Sequence, residues 1–160
     1  MHHTKPTPSL SMQILMGIGI FLVTFAAPAI GAFSPPGDWY QAINKPSWNP
    51  PAWIFGPVWS ALYLMMATAA FLVWQKDGWS RAMNAYVVQL IFNAAWTPLF
   101  FGAQRIDWAC TCIIALWFAI LITILCFWKV NKVAAWLMVP YLGWVSFATV
   151  LNAALWVMNR

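Results

Sequence analysis

Five apolar runs, at residues 10–33, 52–74, 82–102, 106–128 and 133–157, are separated by short stretches that hold almost every charge in the chain. As a helix each run reaches about 30 Å, the thickness of a bilayer's hydrocarbon core. In lipid every backbone N–H and C=O needs a partner within the chain, and uninterrupted runs of this length meet that demand only as helices. The pattern predicts an all-α membrane protein, a single five-helix transmembrane domain over residues 10–157 behind a tail at residues 1–9. Composition closes the soluble alternative: 63% of the residues are hydrophobic and 7% charged, against about 25% charged in a soluble domain.

The connections predict how the helices are arranged. Those at residues 75–81, 103–105 and 129–132 are short, so the helices they join are antiparallel neighbours. Residues 34–51 are longer and contain Pro35, Pro36, Pro46, Pro50 and Pro51 beside Trp39, Tyr40 and Trp48. A stiff aromatic loop of this kind reads as a lid over the bundle mouth, or as a spacer anchored in headgroups. The first run also resembles a signal-peptide core ending in Ala27-Pro28-Ala29, but it continues past Ala29 and its basic flank is only Lys5 with His2 and His3, which favours a retained span. Lys5, Lys76, Arg81, Lys129 and Lys132 fall on one side of the membrane and Lys45, Arg105 and Arg160 on the other. That excess places the N-terminus in the cytoplasm.

The charges also exclude functions. The net charge of +5 is dispersed singly and forms no patch able to follow a phosphate backbone, so nucleic acid is not an expected partner, whereas the lipid bilayer is. No Asp, Glu, Lys, Arg or His lies deep in a span, which disfavours an ion-coupled transporter and leaves hydrolysis without an embedded base. Cys110, Cys112 and Cys126 lack metal-ligand spacing and read as buried apolar residues; no metal site is expected.

Neutral polar and aromatic side chains at helical spacing remain. Gln89, Asn93, Trp96 and Phe100 share one face of the third run, Pro140, Trp144, Ala148, Leu151 and Asn152 one face of the fifth, and Phe55, Trp59 and Tyr63 one stripe of the second. Amides and indoles facing lipid would be unsatisfied, so these stripes turn inward. Either helix-to-helix hydrogen bonding or a ligand pocket accounts for them. Of thirteen tryptophans, Trp39, Trp48, Trp53, Trp74, Trp79, Trp108, Trp128, Trp136 and Trp156 lie near span ends or in loops, as an interfacial belt would; Trp59, Trp96, Trp117 and Trp144 lie deeper. A flat aromatic ligand suits the deeper four. Stacking adds about 1 kcal/mol per pair, whereas micromolar binding needs about 8, so most affinity would come from apolar burial.

Several segments carry a specific likeness. Asp38-Trp39-Tyr40, Lys45-Pro46-Ser47-Trp48-Asn49-Pro50-Pro51, Trp59-Ser60-Ala61-Leu62-Tyr63, Gln89 to Asn93 with Trp96, Phe100-Phe101-Gly102 and Pro140-Tyr141-Leu142-Gly143-Trp144 through Ala148 to Leu151-Asn152 resemble, in order and spacing, the tryptophan-rich sensory protein family, whose eukaryotic members are the translocator proteins or peripheral-type benzodiazepine receptors. The resemblance implies five transmembrane helices, a homodimer, and a pocket closed by the first loop. It implies porphyrin ligands, protoporphyrin IX above all, together with benzodiazepine-type drugs, and no required cofactor. Matching residue by residue, the pocket would involve Tyr40, Phe55, Trp59, Asn93, Trp108, Trp144, Ala148 and Leu151. The resemblance leaves three functions open: porphyrin binding in tetrapyrrole handling or stress sensing, light-dependent oxidative degradation of protoporphyrin IX in which Trp59 and Trp144 would be the catalytic residues, and tetrapyrrole transport. Animal members carry a tyrosine-containing cholesterol motif where Ala153 and Ala154 follow Asn152 here. A reversed pattern through Tyr86 is weak support. Sterol binding is therefore disfavoured, and a bacterial inner membrane is the expected location. Ala27 and Gly31 form a small-xxx-small pair that suits either a dimer face or an internal contact.

Overall fold

The computed structural model describes residues 8–160; His2, His3 and Lys5 lie outside them. The elements in chain order are α1 (Leu10–Gly31), α2 (Asp38–Ala42), α3 (Ala52–Asp77), α4 (Arg81–Thr97) continued by a π-helical turn (Pro98–Gly102), α5 (Ile106–Val130) and α6 (Lys132–Met158). Five are long and apolar enough to cross a membrane, the π turn being counted with α4. The bundle is a closed ring in the order α1, α3, α6, α5, α4 and back to α1.

Local chemistry sets the helix ends. The Ser9 side chain caps α1 by accepting from the Met12 N–H at 3.3 Å. Asn131 separates α5 from α6 and caps the latter, its Oδ1 accepting from Val133 and Ala134 N–H groups. Gly78 ends α3 at φ 67°, a conformation that side chains with a Cβ rarely adopt. Trp74, three residues before the end of α3, is 8% exposed and stacked on Phe71, so its indole packs into the bundle instead of facing outward.

Small residues let the helices approach. Ala67, Ala69 and Ala70 of α3 and Ala134 and Ala135 of α6 are fully buried. At Gly31 a Cβ would lie 3.1 Å from Thr97 Cγ2, so this member of the small-residue pair serves a contact within the bundle, α1 against α4. Lower on the same interface, the Tyr86 and Thr24 hydroxyls bond at 2.7 Å.

Residues 34–51 differ from an irregular loop, since Asp38–Ala42 form the short helix α2. Asp38 stands in its first turn, where a carboxylate opposes the exposed N–H groups. The turn directs Trp39 and Tyr40 down onto Phe100, at ring distances of 5.9 and 6.0 Å.

Candidate ligand pocket

The interior is built from α3, α4 and α6 and roofed by the loop bearing α2. On α3, Trp59 stacks on Tyr63 with 5.5 Å between ring centroids and presents its edge geometry to Tyr141 at 6.2 Å. Phe55, one turn earlier, meets Trp144 of α6 at 5.8 Å. Trp144 in turn contacts Phe147, which meets Trp48 of the loop. Phe55 and Trp59, four residues apart on one face of α3, join these contacts into an aromatic wall that begins at the loop.

Behind that wall lies a buried hydrogen-bond chain. The Tyr63 hydroxyl donates to Asn93 Oδ1 at 2.6 Å, Asn93 Nδ2 donates to the Tyr141 oxygen at 2.8 Å, and the Tyr141 hydroxyl donates to Gln89 Oε1 at 3.0 Å. Gln89 and Asn93 are four residues apart on α4 and so share a face, as the spacing predicts. Gln89 Nε2 and Trp144 Nε1 are buried without a hydrogen-bond acceptor among the described residues. A second polar link pins the other end: Trp96 Nε1 donates to Asn152 Oδ1 at 3.0 Å, and Asn152 Nδ2 donates to the Ile106 carbonyl at 3.1 Å.

The roof rests on the π-helical turn. Its wider winding presents both Phe100 and Phe101 to Tyr40, at 6.0 and 5.2 Å. Lys45 Nζ lies over the other part of the Tyr40 environment, 4.7 Å from the ring centroid, a cation–π contact. Burial raises the Tyr40 hydroxyl's pKa above its ordinary value, opposed by a hydrogen bond to Asn49, so the phenol is neutral at physiological pH. Just after α2 the loop is latched to the end of α6: the Asn44 N–H donates to Asn159 Oδ1 at 2.8 Å, and Asn159 Nδ2 donates to the Asn44 carbonyl at 2.9 Å.

Of the pocket residues expected from the sequence, Phe55, Trp59, Asn93 and Trp144 come together along this wall. Tyr40 and Phe55 pack against the neighbouring cluster that contains Leu151, and Ala148 packs with Trp59 and Trp144 against the main core. Trp108 is not brought to them. It is 57% exposed, with the Arg105 guanidinium 5.8 Å from its ring. Pro140, expected on the inward stripe, also faces outward. Trp117 donates to Ser146 Oγ and lines an open groove on the outside of α5 and α6 with Ile114 and Thr149. The residue that stripe reasoning passed over is Tyr141, fully buried and central to the hydrogen-bond chain. Its signal is a phenol inside a span, three residues before Trp144, which must find partners.

Fold and interior together define an integral membrane helix bundle whose aromatic-lined interior lies under a loop. The TspO/MBR family matches residues 14–157, and the chain belongs to that family. It is 42% identical over 133 residues to a tryptophan-rich sensory protein of Cereibacter sphaeroides, covering 82% of this chain and 84% of the relative. To the tryptophan-rich protein TspO of Chlorobaculum tepidum it is 40% identical over 155 residues, 92% of this chain and 96% of the other. The human translocator protein is 39% identical over 127 residues, 76% of this chain and 75% of its own.

Proposed function

We propose that the protein binds porphyrins, protoporphyrin IX foremost, in the space between α3, α4 and α6, and that it acts in tetrapyrrole handling or stress sensing. The observation that carries this is the wall of Phe55, Trp59 and Trp144 beside a buried polar chain with donors to spare. Flat aromatic faces take a macrocycle by stacking and burial, and the open N–H groups take its polar periphery. Trp144 meets Phe55 and Trp59 meets Tyr63 and Tyr141, so entry requires the loop to lift and these ring contacts to part. Titration of protoporphyrin IX in the dark, followed by quenching of tryptophan fluorescence, tests the reading. A Tyr40→Ala variant should weaken affinity several-fold, roughly the worth of one or two ring contacts; unchanged affinity removes the lid role of Tyr40.

A second reading is favoured by the position of Trp59, stacked on Tyr63 and edge-on to Tyr141. Light-dependent oxidation of bound protoporphyrin IX, with dioxygen as oxidant and Trp59 and Trp144 as nearby donors, asks nothing of acids or bases. If porphyrin bleaches under light no faster with wild type than with the Trp59→Phe, Trp144→Phe double variant, that reading fails. The setting we propose is a homodimer in a bacterial inner membrane with its N-terminus in the cytoplasm. The family resemblance supports the dimer, and Lys76, Arg81, Lys129 and Lys132 on one side support the orientation.

A further inference from the structure

The hydrogen-bond chain behind the wall runs in one direction, and that direction selects among ligands. Tyr63 gives its only hydroxyl proton to Asn93, Asn93 gives an amide proton to Tyr141, and Tyr141 gives its only proton to Gln89 Oε1. Gln89 accordingly turns its carbonyl to Tyr141: turning its amide alone would aim Nε2 at a tyrosine oxygen that already accepts from Asn93 and would strand the Tyr141 proton, and turning Asn93 with it would strand the Tyr63 proton and the Gln89 carbonyl instead. The amide N–H pair must then point away from the chain. Gln89 is 0% exposed and Nε2 has no acceptor among the described residues. One turn along α6 from Tyr141, the Trp144 indole N–H is in the same condition. Every open polar position on these two side chains is a donor.

We propose that Gln89 is a specificity-determining residue of the interior, its amide held by Tyr141 so that its N–H group selects flat aromatic ligands that carry a hydrogen-bond acceptor over those of equal shape that carry none. The inference rests on the pocket proposed above and adds the chemistry the pocket reads. It makes Tyr141 a positioning residue that acts through Gln89. An acceptor gains where a buried donor is otherwise unmet, whereas a methyl group of similar size leaves that donor stranded.

A matched probe pair tests this on the full chain in lipid nanodiscs: 4-cyanobiphenyl, with a nitrile acceptor, and 4-methylbiphenyl, of similar shape without one. Both are measured by displacement of protoporphyrin IX. Wild type should favour the nitrile by on the order of fivefold to tenfold, what one buried hydrogen bond supplies. The nitrile stretch should move to higher frequency on binding, as it does when an N–H donates to its nitrogen. Gln89→Met should bring the two affinities within about twofold by weakening only the nitrile, and should remove the shift. The shift should persist in Trp144→Phe, which lacks the other open donor. Tyr141→Phe keeps the Gln89 amide but frees it to turn, and should reduce the preference; it serves as the probe should Gln89→Met fail to fold. Equal affinities in wild type, or a preference and band shift unchanged in Gln89→Met, overturn the role of Gln89 while the pocket stands. Failure of both probes and of protoporphyrin IX to bind saturably overturns the pocket and this inference together.

Discussion

Replacing Tyr141 with Phe removes one oxygen atom and no packing, which isolates the worth of the buried chain. The side chain is fully buried, accepts from Asn93 at 2.8 Å and donates to Gln89 at 3.0 Å. The variant strands an Asn93 N–H and the Gln89 carbonyl at once. Interhelical side-chain bonds in membrane proteins average about 0.6 kcal/mol and reach about 1.7, while a buried group left unsatisfied costs about 1–3 kcal/mol. Two such losses without a cavity should total about 2 kcal/mol. Tyr86→Phe is the internal standard. Tyr86 bonds only to the Thr24 hydroxyl among the described partners, and Thr24 still donates to the Ile20 carbonyl at 2.7 Å when Tyr86 is gone. Nothing is stranded, so that loss should stay near the membrane average of about 0.6 kcal/mol. Unfolding of both variants by increasing SDS in mixed micelles, read by circular dichroism, gives the comparison. Equal losses, or a Tyr141→Phe variant as stable as wild type, would refute the claim that the chain is a connected unit.

Other consequences follow from single contacts. Asn159→Ala breaks both bonds that latch the loop at Asn44, and should raise the porphyrin dissociation rate about fivefold to tenfold by stopped flow, as expected for the loss of two exposed hydrogen bonds; an unchanged rate would show that the latch does not control opening. Gly31→Leu drives a side chain into Thr97, 3.1 Å from the added Cβ, and should destabilise the bundle by about 1–3 kcal/mol, whereas Gly19→Leu, on the same helix with nothing within 4 Å, should be near neutral. Trp108→Ala removes an exposed ring that stands apart from the wall, so porphyrin affinity should stay within about twofold of wild type, a change below 0.5 kcal/mol; a tenfold loss would place Trp108 in the bound site after all.

The fold was legible because the bilayer imposes it: runs of apolar residues bounded by charges leave a chain few choices, and the five long helices follow. The inward stripes were legible for a related reason, since the amides of Gln89 and Asn93 had to turn away from lipid and Phe100 shares their face, and all three are buried. Burial near a span end is less legible: Trp74 closes the apolar run, yet its indole packs on Phe71 within the bundle. The helix within the proline-rich loop was hidden by its flanking prolines, although Asp38 after Gly37 marks a helix start. Two features depend on contacts that no local pattern contains. Asn44 and Asn159 are 115 residues apart and meet only once the ring closes. The direction of the Tyr63–Asn93–Tyr141–Gln89 chain likewise needs three helices in place before any donor or acceptor is committed.

The central claim is that the space under the loop receives a porphyrin, and filling that space tests it most directly. Ala148 lies one turn after Trp144 on the same face of α6, and both, like Trp59, pack against the main core. In nanodiscs in the dark, wild type should bind protoporphyrin IX saturably at one site per chain, and Ala148→Phe, with the fold retained by circular dichroism, should weaken binding at least tenfold, about 1.4 kcal/mol. Quenching that rises without saturation and is the same for wild type, Ala148→Phe and an unrelated membrane helix bundle would mean that the porphyrin partitions into lipid and that the interior is packing alone.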